Sequence, residues 1–258
     1  MTMLQNISAG GLRRGNEGLR SVAQPAVCVG RTRSIRIPEM IRVPQGEFQM
    51  GCLRWLHTQP LRNITMTAFS IGKYPVTNEE YRSFLTTLGR RISPLVADAK
   101  YSKHPVVDVS WFDAMEYCRF LEEITGRKFS LPTEAQWEFA AKGAQGRIYP
   151  WGNESYKGRV NFDSRGTTPV DLYMNGATPT DIFDMSGNVW EWCFDGNGGY
   201  APKDLKDPVQ HSMEPFRALR GSSWRQFRDS TLITMSRNCN RPEAKYNDMG
   251  FRVVENDK

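Results

Sequence analysis

The sequence predicts an α+β fold with few helices and short antiparallel strands, much of the chain being irregular. Three observations carry this prediction. Capped helical stretches are confined to residues 77–143, and short alternating segments lie near both ends of the body. Between about 144 and 220 there is no long periodic run.

Strands are predicted first at MIRVPQGEFQMG, residues 40–51, and later at RALRGSSW, 217–224, and GFRVV, 250–254. Thr77 and Glu80 form a capping box ahead of Tyr81, Phe84, Leu85 and Leu88, an apolar stripe at helical spacing. Ser110 and Asp113 open a second helix with Ala114, Cys118 and Leu121 facing inward, and Gly126 ends it. Thr133 and Gln136 cap a third, which runs through Trp137, Ala140 and Ala141 to Gly143. Cys118, on an apolar helical face, reads as core. The stretch that follows is rich in Gly, Pro, Asn and Asp with aromatics spaced among them, so its order must come from something besides helix or sheet ladders. Bound ions and buried tryptophans are two available sources.

Within that stretch, DMSGNVWEWCFDG, Asp184 to Gly196, stands out. Ser186, Gly187 and Asn188 read as a tight turn, since Gly and Asn tolerate positive φ. Trp190 and Trp192 then share one face of an extended chain, with Val189 and Glu191 on the other. The turn brings Asp184 and Glu191 together with inward backbone carbonyls, and hard oxygens in a bent loop suit calcium. A Trp-lined corner with two solvated acids fits the same spacing.

Of the formal net charge of +6, +5 falls in residues 1–36, where six arginines face Glu17 alone. The remainder is near neutral and shows no compositional sign of a nucleic-acid-binding face. Residues 1–37 are therefore read as a basic arm, either disordered, targeting the chain to an organelle, or docking on a protein partner. Residues 38–258 are the folded body. No run approaches 18 apolar residues, so no transmembrane segment is expected. Five cysteines with no C-x-x-C pair fit neither a zinc site nor a disulfide framework, and favour free thiols in a reducing intracellular compartment. The three histidines are far apart in sequence.

Seven ordered blocks carry a resemblance: IRVPQGEFQMG, YPVTNEEYRSFL, the stretch from HPVVDVSWFDAMEYC to WEFAAKGA, YPWGN, DMSGNVWEWCFDG, LRGSSW and RNCNRPEAKYNDMGFRVV. Over roughly residues 38–254 the chain resembles the formylglycine-generating enzyme, or sulfatase-modifying factor, family. That resemblance implies a compact, irregular α+β architecture of the C-type-lectin type. It further implies one calcium ion held by the Asp184 side chain, the carbonyls of Gly187 and Val189, and the Glu191 side chain. A second family calcium site would begin at Asn161 and Phe162, but its later loop is short here, so one site is expected.

Family members that oxidise a sulfatase cysteine do so with copper on two cysteine thiolates. The matching positions here hold Gln226 and Thr231, neither of them a soft ligand, so copper is not expected. The expected function is a non-oxidase family member acting as a binding or accessory subunit of a larger assembly. Its binding surface is expected at Ser223, Trp224, Arg225, Gln226, Phe227, Arg228 and Tyr246, which combine aromatic and guanidinium groups. An oxidoreductase with a non-standard centre remains open. So does a diversified ligand-binding protein of the C-type-lectin type, although Gln226, Glu243 and Lys245 do not arise from the codon changes that diversify such proteins.

Overall fold

The computed structural model describes residues 35–53, 58–198, 205–211 and 215–256. The basic arm up to residue 34 lies outside them, as do Cys28 and His57. The arm's last residues, by contrast, already meet the body. The Arg36 amide donates to the Ser83 hydroxyl and its guanidinium pairs with Glu79, while Ile35 packs against the core.

The chain opens with β1 (Met40–Val43), β2 (Gly46–Met50), β3 (Arg62–Met66) and β4 (Phe69–Gly72). Helices follow as α1 (Asn78–Thr87), α2 (Pro94–Ala97) and α3 (Trp111–Thr125), then β5 (Phe129–Ser130) and α4 (Glu134–Lys142). After the irregular stretch come β6 (Trp190–Gly196), β7 (Arg217–Arg220), β8 (Arg237–Asn240), β9 (Met249–Gly250) and β10 (Val254–Asn256). Among the described residues the strands form sheets ordered β1-β4-β10-β5, β2-β3 and β8-β7-β6-β9. Pairing is antiparallel except where β9 runs parallel to β6.

Each of the three predicted capping boxes is present, with Thr77, Ser110 and Thr133 accepting from the N3 amide and Glu80, Asp113 and Gln136 returning the bond. Gly126 ends α3 in the left-handed region at φ 68°, where a residue with no Cβ carries no steric penalty. Leu88 departs from the predicted stripe: it is the C-cap of α1 and 41% exposed, because the helix ends before that position turns inward. Strands β3, β4, β5 and β8 were not among those predicted.

Apolar side chains gather in two clusters. One lies under α1 and α3 and takes in Trp190, Trp192 and Phe251; the other surrounds Trp137 of α4 with β2, β3 and β4. The α4 helix is buried on every side, although it carries Glu134, Glu138 and Lys142. How these charges are accommodated fixes the position of the β6–β7 sheet, and with it the candidate site.

Candidate functional site

The turn before β6 is built as predicted. Gly187 has φ 75° and Asn188 φ 59°, and Asp184 shares the left-handed region at 53°. A Cβ on Gly187 would collide with the Val160 side chain and lie 2.5 Å from the Asn161 carbonyl oxygen, so the turn packs directly on the 160–161 backbone.

Asn188 does more than tolerate positive φ. It is fully buried, and its Nδ2 donates to Asp184 Oδ2 at 2.7 Å and to the Thr168 carbonyl at 3.1 Å. Its Oδ1 accepts from the Thr168 amide and from Asn161 Nδ2. Its own amide donates to the Asn161 carbonyl, and its carbonyl accepts from the Trp224 amide. Through its side chain and backbone together, this one residue ties the 161, 168, 184–188 and 224 segments to one another with every side-chain polar atom satisfied. Asn161, where a second ion site would begin, is likewise engaged: its Oδ1 accepts from the Ser164 hydroxyl and its Nδ2 also donates to the Gly166 carbonyl.

Trp190 and Trp192 anchor β6 to the core. The acids between and before them are not solvated. Glu191 is fully buried and faces Arg252, equally buried: Arg252 Nε donates to Oε2 at 2.6 Å and an Nη to Oε1 at 2.7 Å. Trp137 Nε1 donates to the same carboxylate at 2.8 Å. The rest of the Arg252 guanidinium donates to the Gly72 and Phe183 carbonyls, which stitches β4, the turn and β6 to one another. Asp184, also buried, keeps a carboxyl whose pKa is pushed up to about 7, chiefly by loss of solvent; its bond from Asn188 opposes this.

A neighbouring charge cluster holds α4 against β7 and β8. Arg220, with no exposed surface, donates to Glu134 at 2.8 Å and to Glu138 at 2.8 Å. Arg237 donates to both Glu134 oxygens, at 2.6 and 2.5 Å. Burial would push the Glu134 carboxyl up, but Arg237 and Arg220 together hold it below the usual range. Asp195 accepts from the Glu134 and Gln210 amides, and its pKa is pushed up to about 7 by burial and by the Glu134 charge.

Calcium would require Asp184, the Gly187 and Val189 carbonyls and Glu191 to act together. Asp184 offers a hard cation one carboxylate oxygen besides the one that accepts from Asn188. Glu191 suits it less, because its two oxygens already accept three hydrogen bonds from Arg252 and Trp137. Among the described residues no group of three or more His, Cys, Asp or Glu side chains is placed to hold a metal ion.

The segment after β7 carries the expected binding surface, and the structure divides it. Ser223 and Trp224 point inward: the Ser223 hydroxyl donates to Asp248 at 2.9 Å, and Trp224 Nε1 donates to the Asn247 carbonyl. Ser223 and Trp224 thus leave the surface assigned to them, Ser223 because its short hydroxyl satisfies a buried carboxylate and Trp224 because its indole packs inward. Arg225, Phe227 and Arg228 are exposed, Phe227 at 69%, with the Arg228 guanidinium 5.5 Å from its ring centre. Gln226 is half-buried, and Tyr246 is 48% exposed on the loop behind Asn247. Backbone bonds from Asp163 to the Gln226 carbonyl and from Ser164 to the Trp224 carbonyl hold this segment against loop 161–164.

Gln226 and Thr231 meet β8 in a cavity of about 300 Å³. Trp190, Arg228, Ile233, Arg237 and Asn238 share its lining, which sets amide, hydroxyl and guanidinium groups beside an indole and an aliphatic side chain. The Thr231 hydroxyl is bonded to the Ser222 hydroxyl at 3.0 Å and to the Arg228 carbonyl at 2.8 Å. Of the cysteines among the described residues, Cys118 and Cys193 are buried with thiols pushed well up by desolvation, and Cys52 and Cys239 are half-buried. The residues missed by sequence reasoning are Arg220, Arg237, Arg252, Glu134 and Glu138, whose partners lie 61 to 103 positions away.

The sulfatase-modifying factor enzyme 1-like domain family matches residues 25–257. The chain is 34% identical over 247 residues to the serine/threonine-protein kinase Pkn1 of Chlamydia trachomatis serovar L2, covering 86% of this chain but 39% of that relative. This chain contains neither the His-Arg-Asp nor the Asp-Phe-Gly tripeptide of a kinase catalytic centre. It is 28% identical over 281 residues to the inactive C-alpha-formylglycine-generating enzyme 2 of Bos taurus, covering 83% and 87% of the two chains. The structure of PvdO from Pseudomonas aeruginosa superposes with a TM-score of 0.73 at 24% identity over 84% of this chain and 94% of that one, a likeness of fold.

Proposed function

The chain belongs to the sulfatase-modifying factor enzyme 1-like family, and we propose that within it the protein is a binding or accessory subunit of a larger assembly rather than a copper oxidase. One observation carries the reading. The cavity holding Gln226 and Thr231, the positions the resemblance gives to the copper thiolates, is lined by amide, hydroxyl and guanidinium groups together with the Trp190 and Ile233 side chains, and by no cysteine or methionine among the described residues. Such groups donate and accept hydrogen bonds, and none of them offers copper(I) a soft sulfur ligand. Likeness to an inactive formylglycine-generating enzyme supports the same reading.

The rim of the cavity adds an anchor. Phe227 is exposed beside Arg225 and Arg228, a combination enriched where proteins meet. An extended segment bearing a carboxylate and an apolar side chain fits this rim. The apolar side chain packs on Phe227, and the acid meets Arg228 over the cavity mouth. Calcium at Asp184 and the adjacent carbonyls is a structural part of the proposal: the ion would replace a buried proton and stiffen the turn on which Trp190 is mounted.

The test is the state of the chain in its native cell. Size-exclusion chromatography of extracts should find it with a second protein, at a mass above its own 29.5 kDa. Phe227→Ala with Arg228→Ala should release it without changing its melting temperature. Elution of the wild-type chain alone would overturn the proposal.

A further inference from the structure

The sheet that carries the cavity ends, among the described residues, at β8, which pairs with β7 on one side. Their register sets Ala218 opposite Cys239, with Leu219 opposite Asn238 and Arg217 opposite Asn240. Amides alternate in direction along an antiparallel strand, so those of Cys239 and Arg241 share one direction, and since both donate to side-chain oxygens of their own chain, that direction is read as the one facing away from β7. A row of outward amides is a template on which another strand can pair.

Both amides are already occupied, and in the same way. The Cys239 amide donates to Asn238 Oδ1 at 2.9 Å, and the Arg241 amide donates to Asn240 Oδ1 at 2.9 Å. Each asparagine folds its carboxamide forward onto the amide that follows it, a reach its short side chain permits. We infer that Asn238 and Asn240 close the β8 edge against strand addition, so that the sheet ends there and the chain does not extend it with a second copy. An incoming strand would need carbonyl oxygens where the two Oδ1 atoms sit, so both carboxamides must first rotate away. Arg241, exposed at the end of the strand, adds a charge that a second copy would meet with its own.

Sedimentation velocity in reductant, over a range of concentrations, tests this with three proteins. The wild type and Asn238→Asp/Asn240→Asp, which keeps both acceptor oxygens, should sediment independently of concentration. Asn238→Ala/Asn240→Ala should rise in mass toward twice 29.5 kDa as concentration increases. Hydrogen exchange should show its Cys239 and Arg241 amides exposed when dilute and protected when concentrated. If the double variant does not fold, the single change at the exposed Asn238 replaces it. An alanine variant that sediments as the wild type at every concentration overturns the inference. So does a wild type whose Cys239 amide gains protection with concentration.

Discussion

Replacing Glu191 by alanine removes one half of an ion pair with no exposed surface and leaves the other half in place. Arg252 would keep its bonds to the Gly72 and Phe183 carbonyls but lose both bonds to carboxylate oxygen. An uncompensated buried charge of this kind costs about 3–5 kcal/mol. Trp137 Nε1 loses its acceptor at the same time, adding about 1 kcal/mol or more. Against a total stability of roughly 5–15 kcal/mol, that loss consumes a large fraction of the margin. Urea denaturation followed by tryptophan fluorescence measures it. Glu191→Leu with Arg252→Met should recover part of the stability, because no charge is then stranded, while Trp137 Nε1 and the Gly72 and Phe183 carbonyls stay without these partners. A cost below about 1 kcal/mol for Glu191→Ala, or no recovery in the double variant, would refute the claim that this pair holds β6 to β4.

The same turn makes further predictions. Asp184 has a folded pKa of about 7, above that of an ordinary carboxyl. Its contribution to stability is present at acid pH and lost as pH rises toward 7. In chelator, Asp184→Asn should therefore lose less stability than the wild type between about pH 4 and 7, and parallel curves would reject the assignment. If the turn holds calcium, added calcium should raise the wild-type melting temperature and raise that of Asp184→Asn less; an equal response points to another site. Gly187→Ala must place a Cβ against Val160 and the Asn161 carbonyl at φ 75°, and should lower the melting temperature by several degrees. Asn188→Ala strands partners in the 161, 168 and 184 segments, and should cost at least about 2 kcal/mol by denaturant titration.

The parts of this fold legible in the sequence are those fixed by neighbours. Thr77, Ser110 and Thr133 announce their helices because a cap and its return bond lie three residues apart. Gly187 and Asn188 announce the turn because their backbone freedom is intrinsic. Glu134 and Glu138 mislead, since two acids one turn apart ordinarily mark the solvated face of a helix. Only Arg220 and Arg237, supplied from distant strands, explain how α4 is buried with them inside. Glu191 misleads in the same way, through Arg252. Ser223 shows the converse: flanked by interface-type residues, it is drawn inward by Asp248. The family blocks singled out Gln226 and Thr231, which line one cavity, whereas the proposed closing of the β8 edge by Asn238 and Asn240 needed register, which short strands do not declare.

The central claim is that a family fold has kept its cavity without the chemistry for copper-dependent oxidation. Incubating the purified chain with copper, reductant, oxygen and a sulfatase-type cysteine peptide, then weighing the peptide by mass spectrometry, tests it most directly. The account predicts a peptide unchanged beyond the no-protein control. Conversion of its cysteine to formylglycine well above that control would contradict it.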